Sequence, residues 1–343
     1  MKHSSRWIIA IIAVIAALAA LSGCGGANGQ NATGKQSSSS SPQTAPQSAT
    51  ADDSTITIGT LATEDLLPLW VAQAEGLFDG SDVNVEIVPF QSATELIAGV
   101  ASGEVDLAMT DIMVTASMFA SGIDVQMEWV TLGTSADQGR FGIMVSPNST
   151  ITQLTDLAGV PIGVGSNTIL EYVMDRLMEQ AGVPESDIVV EELQKLPVRY
   201  QAMASGEVAA AALPGTLLAL GEHNGCKLIA DDTQGDNISQ SVMIARSDFA
   251  SDGSHAAQID VLKGIWDQAA SLVNADPEKY RSVLIANANL PEAIADTYPI
   301  SKYPTVQLPT SAMVDPVLDW MEHKGYLTQP LTYDEATGTF SVK

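Results

Sequence analysis

Two acidic side chains, Glu64 and Asp111, each follow a short apolar run that is typical of a β-strand. The surrounding stretch 56–139 contains no Lys or Arg. Carboxylates accept hydrogen bonds and pair with cations, so two of them beyond strand ends are suited to the N–H or ammonium groups of a small molecule. The alternative is that Glu64 is a solvated loop acid and that Asp111 only caps the helix from Ile112, because Asp is among the best N-cap residues.

Two motifs that begin with a hydroxyl side chain mark helix starts, Ser92-Ala-Thr-Glu95 and Thr168-Ile-Leu-Glu171. Each fits a capping box, in which the hydroxyl and the Glu satisfy backbone N–H groups reciprocally. The N–H groups of a helix start also bind polar ligands, and Gly165-Ser166-Asn167 adds a polar loop before the second motif. Both motifs are therefore candidate binding loops. The alternative is that the hydroxyls only cap their helices.

Strand-like runs alternate with helical stretches in two successive parts of the chain. The first series comprises 56–59, 67–76, 83–88, 93–102 and 105–109, and the second comprises 160–164, 170–181, 188–191, 198–205 and 208–213. Alternation of this kind predicts a mixed or parallel sheet with covering helices. We therefore predict an α/β fold that is built from two similar units.

A shared string supports this internal similarity. Ala-Ser-Gly-Glu-Val occurs at 101–105 and again at 204–208. In each unit it predicts a helix that ends at a glycine, Gly103 or Gly206, and is followed by a buried strand. Ligands of open α/β sheets bind beyond the carboxyl ends of the strands, so the loops that follow the strands are the expected site.

Two further strand-like segments, Arg140–Val145 and Ser241–Arg246, are predicted to carry the chain into the second lobe and back. Two crossings of this kind make a hinge. The predicted lobes are 56–142 with 245–343 for lobe one, and 143–244 for lobe two. The region after Ser247 is predicted to be mostly helical and to complete lobe one, with helices at 248–274, 277–287, 291–297 and 311–324.

The N-terminus has the layout of a secretory signal peptide, predicted over 1–23. Basic residues precede an apolar run from Trp7 to Leu21, and Leu21-Ser22-Gly23-Cys24 follows. The run is about 15 residues long, shorter than the ~20 that a membrane-spanning helix needs. The tetrad resembles the lipobox of bacterial lipoproteins, which implies that Cys24 is lipidated. Residues 24–55 then form a flexible tether, because they offer almost no large apolar side chain to bury.

The composition excludes several partners and chemistries. The chain carries 41 acidic and 15 basic residues, a formal charge of −26. So acidic a chain is an unsuitable partner for nucleic acid or an anionic membrane surface. The lipid on Cys24 is therefore the expected membrane contact. With Cys24 lipidated, Cys226 is the one remaining thiol, so no internal disulfide is expected. His223, His255 and His323 have no metal-ligand spacing, and we expect no metal, no cofactor and a monomer.

Several segments of the chain resemble the solute-binding proteins of nitrate, sulfonate and taurine importers. These segments are Pro68–Phe78, Val85–Leu96, Gly103–Ala108, Arg140–Val145 and Asp156–Gly165. That group includes the thiamine-pyrimidine binding type. The resemblance implies a type II periplasmic-binding-protein fold with two α/β lobes, outside the cytoplasm, that delivers a small molecule to an ABC permease and its ATPase. Transferred residue by residue, it implies cleft contacts from Ala62, Thr63, Glu64, Leu66, Gln91, Ser92, Thr94, Thr110, Asp111, Gly165, Ser166, Asn167, Thr168, Leu213 and Pro214.

The acids of lobe one indicate the charge of the solute. An anion beside Glu64 and Asp111 would be repelled, so a neutral or amine-bearing molecule, such as a heterocycle, is favoured over a sulfonate or nitrate. Two other functions stay open. One is a sensor or adhesion lipoprotein that binds a ligand without transport. The other is an enzyme on the same fold, such as a pyrimidine synthase or a porphobilinogen deaminase. A pyrimidine synthase would need a cysteine-rich motif, which the single thiol at Cys226 does not provide. A porphobilinogen deaminase would need a cofactor-bearing cysteine inside the cytoplasm, whereas this chain is expected to be exported.

Overall fold

Two five-stranded sheets and their surrounding helices make up the part of the chain that the computed structural model describes, residues 55–288 and 290–343. The predicted signal peptide, Cys24 and nearly all of the predicted tether lie outside the described residues. Within those residues, no helix is both long enough and apolar enough to cross a membrane.

The first sheet contains β1 (Thr55–Leu61), β2 (Asn84–Phe90), β3 (Leu107–Asp111), β4 (Val125–Leu132) and β10 (Ser241–Arg246). Its strand order is β2-β1-β3-β10-β4. β1 pairs in parallel with β2 and β3, whereas β10 is antiparallel to β3 and β4. β3 is buried along its whole length, which fits its apolar sequence and its place inside the sheet.

The second sheet contains β5 (Phe141–Val145), β6 (Pro161–Val164), β7 (Val189–Glu192), β8 (Ala210–Pro214) and β9 (Lys227–Asp231). Its order is β7-β6-β8-β5-β9, with β6 parallel to β7 and β8, and β5 antiparallel to β8 and β9. The two sheets therefore share one topology, as the alternating pattern predicted. In each sheet, the antiparallel strand begins where the chain has just crossed from the other lobe.

The helices cover the sheets and connect their strands. They are α1 (Leu67–Ala74), α2 (Ala93–Ser102), α3 (Ile112–Ala120), α4 (Ile169–Gln180), α5 (Leu196–Ser205), α6 (Gly215–His223), α7 (Ser247–Ser251), α8 (Gly253–Ala275), α9 (Arg281–Asn287) and α10 (Ser311–His323). α2 and α5 end at Gly103 and Gly206, whose φ angles of 77° and 78° lie in the left-handed region that glycine tolerates. The repeated string therefore marks the same helix end in both lobes, as predicted.

The C-terminal region differs from the prediction of a mostly helical return. It ends in an antiparallel hairpin of β11 (Leu331–Asp334) and β12 (Thr339–Val342), two short alternating runs that the sequence analysis missed. The helix predicted at 291–297 is only a short 3-10 turn, Glu292–Ile294. The sheet boundaries also differ from the predicted ones, because β5 already belongs to the second sheet at Phe141 and β10 belongs to the first sheet from Ser241.

Helix α10 packs on both lobes, not on lobe one alone as predicted. It lies against α3 of the first lobe. Its Trp320 indole Nε1 donates to the Asp175 carboxylate of α4 at 3.0 Å, and Lys324 Nζ lies 3.0 Å from the same carboxylate and 3.3 Å from Glu171. Both acids are almost completely buried. The C-terminal helix is thus a polar and aromatic connection between the lobes.

Candidate functional site

A cavity lies between the lobes, at the carboxyl ends of the parallel strands of both sheets. Its first wall comes from lobe one and its second wall comes from lobe two. The lining residues are Leu61, Thr63, Asp65, Ser92, Ala93, Met109, Thr110, Asp111 and Ser241 on the first wall, and Phe141, Thr168, Ile169, Leu170, Gln194, Leu196, Arg199 and Pro214 on the second. This is where open α/β sheets place their ligands.

Asp111 joins the two walls. Its Oδ1 accepts from the Val114 backbone N–H at 2.8 Å, which caps α3, and its Oδ2 accepts from the Ile169 backbone N–H of α4 at 3.1 Å. One carboxylate therefore stabilises the first turns of two helices that belong to different lobes. Burial raises the pKa of Asp111 to about 6, although the backbone hydrogen bonds oppose this shift. Asp111 is a helix cap, as one interpretation predicted, and it also lines the cavity, while its contact with a solute stays a prediction.

Asp65, rather than Glu64, is the second acid of the cavity. Asp65 accepts from the Thr63 hydroxyl at 2.6 Å and from the Ser241 hydroxyl at 2.5 Å. Ser241 is the first residue of β10, so this hydrogen bond holds the loop after β1 against the strand that returns from lobe two. The carboxylate is thereby fixed in place on the first wall, and each of its oxygens retains a lone pair for a further donor.

Glu64 is not part of the cavity wall and lies beside Gly215 of lobe two. Its Oε1 accepts from the Tyr298 hydroxyl at 2.5 Å, and its backbone carbonyl accepts from the Tyr303 hydroxyl at 2.8 Å. Its other carboxylate oxygen is buried without a hydrogen-bond partner. Burial, followed by the charge of Asp65, raises the pKa of Glu64 to about 7. The prediction that this side chain contacts the solute is wrong for this cavity, because its carboxylate is used by Tyr298 and does not line the wall.

This placement gives Glu64 a pH signature. The pKa rises from 4.5 to about 7 on folding, so the folded state holds the proton more tightly and the contribution of Glu64 to stability is lost as the pH rises from about 4.5 to about 7. Below that pH window, we expect the Glu64→Gln protein and the wild type to have the same free energy of unfolding. Above it, we expect the free energy of unfolding of the variant to be higher by on the order of 2 kcal/mol. Urea unfolding across the pH range measures the difference. Equal pH dependence in both proteins would contradict the assignment.

Arg199 is the one positively charged side chain on the cavity wall within the described residues. It is 2 % exposed, and its guanidinium donates to the backbone carbonyls of Leu193, Ala212 and Gln194 at 2.8, 3.1 and 3.2 Å. Burial lowers the pKa of Arg199 to about 10, so it stays charged at neutral pH. Arg199 was not among the predicted site residues, although it is the one charged residue of α5 and so gave a signal.

The structure brings six of the fifteen predicted site residues to the cavity: Thr63, Ser92, Thr110, Asp111, Thr168 and Pro214. Leu66 and Leu213 are fully buried in the cores of their lobes. Ala62 and Gln91 line a neighbouring surface pocket, and neither Glu64 nor Thr94 is part of the cavity wall. Gly165, Ser166 and Asn167 are not part of the wall, although Gly165 lies beside Arg199 and Gln194, which are.

The helix starts match their predicted caps in one lobe only. Ser92 caps α2 by accepting from Glu95 N–H at 3.2 Å, as the capping box predicted. The Thr168 hydroxyl instead donates to the Gly165 carbonyl at 2.7 Å, so the predicted side-chain cap of α4 is wrong. The N–H of Ile169 is satisfied by Asp111 from the opposite lobe. A cap supplied by a residue 58 positions away has no local sequence signal.

Side-chain contacts also connect the lobes beside the cavity. Lys195 of lobe two pairs with Glu95 of lobe one at 2.7 Å, and the Asn167 side-chain amide donates to the Ser117 hydroxyl at 2.5 Å. The Lys195–Glu95 pair is half exposed and contributes little energy. The arrangement is that of a small chamber between two lobes, with a mostly apolar lining, two acids on one wall and a cation on the other.

Known structures share this fold. The alkanesulfonate-binding protein SsuA from Xanthomonas axonopodis pv. citri, bound to MOPS, is 19% identical, with a TM-score of 0.69 over 82% of this chain and 96% of that one. SsuA from Escherichia coli is 18% identical, with a TM-score of 0.68 over 84% and 93%. The desulfurization enzyme DSZB is 15% identical, with a TM-score of 0.60 over 80% and 94%. Among proteins with curated descriptions, none matches this sequence.

These likenesses, together with the two α/β sheets of this chain, establish a periplasmic-binding-protein fold. The family is established independently by the sequence. Residues 63–288 match the family described as NMT1/THI5 like, a range that includes both crossings and every residue of the two cavity walls except Leu61. The chain therefore belongs to the NMT1/THI5-like family.

Proposed function

We propose that this protein is the extracytoplasmic solute-binding component of an ABC-type importer, which captures a small organic molecule between its lobes and delivers it to a permease. The observation that carries the proposal is the cavity itself, lined from both lobes by fixed polar side chains. A solute that contacts both walls favours the closed arrangement, which is how a two-lobed protein couples binding to a change of shape. The likeness to sulfonate-binding proteins supports the same role.

The cavity favours binding over catalysis. No cysteine or histidine of residues 55–288 or 290–343 lines it, so a thiolate nucleophile and an imidazole base are missing from its wall. Cys226 lies in a separate core cluster of lobe two, where burial raises the pKa of the thiol and makes it a poor nucleophile. DSZB demonstrates that the fold also supports an enzyme, so this argument rests on the side chains and not on the fold.

Binding and import are tested in two steps. A saturating solute at about 100 times its Kd is expected to raise the free energy of unfolding of the full chain by about 2.7 kcal/mol. Cells that lack this protein are then expected to lose uptake of that solute and to regain it with the wild-type chain. Binding without any effect on uptake would instead favour a sensor or adhesion lipoprotein, the second function that the sequence leaves open.

The proposed lipid anchor gives a separate prediction. Cys24→Ser removes the thiol that carries the lipid, so the protein is expected to move from the membrane fraction to the soluble fraction, whereas Cys226→Ser is expected to leave fractionation unchanged. Immunoblots of separated fractions measure this. A Cys24→Ser protein that stays in the membrane fraction would favour an uncleaved transmembrane segment. We further propose that the anchored protein is a monomer.

The solute preference follows from the first wall. Asp65 and Asp111 offer carboxylate oxygens to the cavity, so a solute is favoured that donates from an amine or a ring N–H. Nitrate or a simple sulfonate has no donor for these acids and is disfavoured. Glu64 lies outside the cavity, and Asp65 takes the place that the sequence predicted for Glu64.

A further inference from the structure

Arg199 is a buried cation on the cavity wall. Within the described part of the chain, its guanidinium forms no ion pair with a carboxylate. The acid that acts on it electrostatically, Glu192, is instead bonded to Ser166 and to the side-chain amide of Gln194. A buried charge without a counter-charge is costly, so a ligand that brings the opposite charge to Arg199 would offset that cost.

The guanidinium is held in a defined position and retains free donors. Three of its five N–H groups are used, one on each nitrogen, by carbonyls of the loop after β7 and of β8. The two that remain belong to Nη1 and Nη2, the pair that binds a carboxylate or sulfonate side by side. Gly165 allows this position, because a Cβ there would lie 2.7 Å from Nη2.

The opposite wall carries the opposite charge. Asp65 and Asp111 belong to lobe one, whereas Arg199 belongs to lobe two, and all three line the same cavity. The remaining polar groups of the wall are hydroxyls and one amide, which are neutral. A solute with a single charge would satisfy one wall and leave the other with an unpaired buried charge. A solute with both charges would satisfy both and connect the lobes.

We propose that the solute is a compact zwitterion, whose ammonium group lies against Asp65 and Asp111 and whose carboxylate or sulfonate lies against Arg199. This inference rests on the proposed function and names its substrate class. The acids of lobe one alone favour a solute with an amine and give no role to an anionic group. Arg199 adds that role. The charge separation across the cleft also explains how one small molecule would hold two lobes together.

Two matched sets of probes test the proposal on the wild-type full chain by calorimetry. The carboxylate set is β-alanine, β-alaninamide, propionate and propionamide, and the sulfonate set is taurine, its sulfonamide and ethanesulfonate. We expect at least one zwitterion to bind roughly tenfold to 100-fold more tightly than its cation-only and anion-only analogues, because each analogue loses a charge-assisted contact. The tighter set identifies whether the anionic group is a carboxylate or a sulfonate.

Variants locate each end of the solute. Arg199→Gln is expected to lower the affinity for the zwitterion to near the affinity for its cation-only analogue. Asp111→Asn is expected to lower it to near the affinity for the anion-only analogue. Arg199 also holds a loop, so Gly165→Ala provides a second variant that displaces the guanidinium and retains its charge, with the same expected loss of preference. A folded Arg199→Gln protein that still prefers the zwitterion over the cation-only analogue would overturn the role of Arg199.

The outcomes separate this inference from the proposed function. A singly charged or neutral probe that binds as tightly as the zwitterion overturns the inference and leaves solute binding intact. Failure of every probe in both sets also overturns it. The proposed function is then judged from the protein purified from its own cells: a bound small molecule released on unfolding supports it, and uptake assays that reveal no imported solute count against it.

Discussion

Lys324→Met is expected to lower the free energy of unfolding by about 3 to 5 kcal/mol, the usual cost of leaving a buried charge without its partner. Lys324 lies within 3.3 Å of Glu171 and 3.0 Å of Asp175, which are 1 % and 2 % exposed. Burial raises the pKa of Asp175, and the charge of Lys324 opposes that shift. Without the ammonium group, Asp175 must take up a proton or remain charged in the core.

Lys279→Met is the matched control. Lys279 pairs with Glu75, but both side chains are well exposed, so we expect a change of only about 0 to 1 kcal/mol. Adding Asp175→Asn to Lys324→Met is expected to recover part of the loss, because it removes one uncompensated charge. Urea unfolding at constant pH measures all of these proteins. A small loss in the Lys324→Met protein would show that α10 does not connect the lobes through these charges.

Asp111→Ala is expected to cost about 2 to 4 kcal/mol of stability, and also to reduce solute binding. The change removes the cap of α3, which contributes about 0.5 to 2 kcal/mol, and it leaves the N–H of Ile169 without an acceptor, which costs about 1 to 3 kcal/mol more. Asp111→Asn retains an oxygen at the same place and is expected to keep most of the stability while it loses the charge.

The control for this prediction is Ser92→Ala. Ser92 also caps a helix and lines the cavity, but it accepts only within its own lobe, so we expect a loss of about 1 kcal/mol. Thermal and urea unfolding of the unliganded proteins compare the two positions. A similar small loss at both positions would mean that the bond from Asp111 to Ile169 does not contribute to stability across the cleft.

Local patterns were sufficient to predict the framework of the fold. The periods of strands and helices can be recognised within a few residues. Gly103 and Gly206 each adopt the left-handed backbone conformation that ends a helix, which glycine permits. The predicted two-unit α/β topology follows from such local signals. The hairpin Leu331–Val342 was missed because each strand has only four residues, too few for alternation to stand out in a polar segment.

The site was predicted less completely because its side chains are oriented by distant partners. Glu64 and Asp65 are neighbours in one loop, and which of them faces the cavity depends on Tyr298 and Ser241, more than 170 positions away in the chain. The cap of α4 by Asp111 crosses from one lobe to the other in the same way. The position of the Arg199 guanidinium on the cavity wall could not be predicted from the sequence. Its three acceptors are backbone carbonyls, and no residue type indicates them.

The most direct test of solute capture between the lobes is hydrogen–deuterium exchange of the full chain, with and without the tightest-binding zwitterion. We predict slower exchange in segments of both walls, 61–65 and 109–115 from lobe one and 168–172 and 194–200 from lobe two, because the bound solute would hold α3 and α4 against each other. The surface at the far ends of the sheets should be unchanged. Protection confined to a single lobe, or located away from the cavity, would contradict the account.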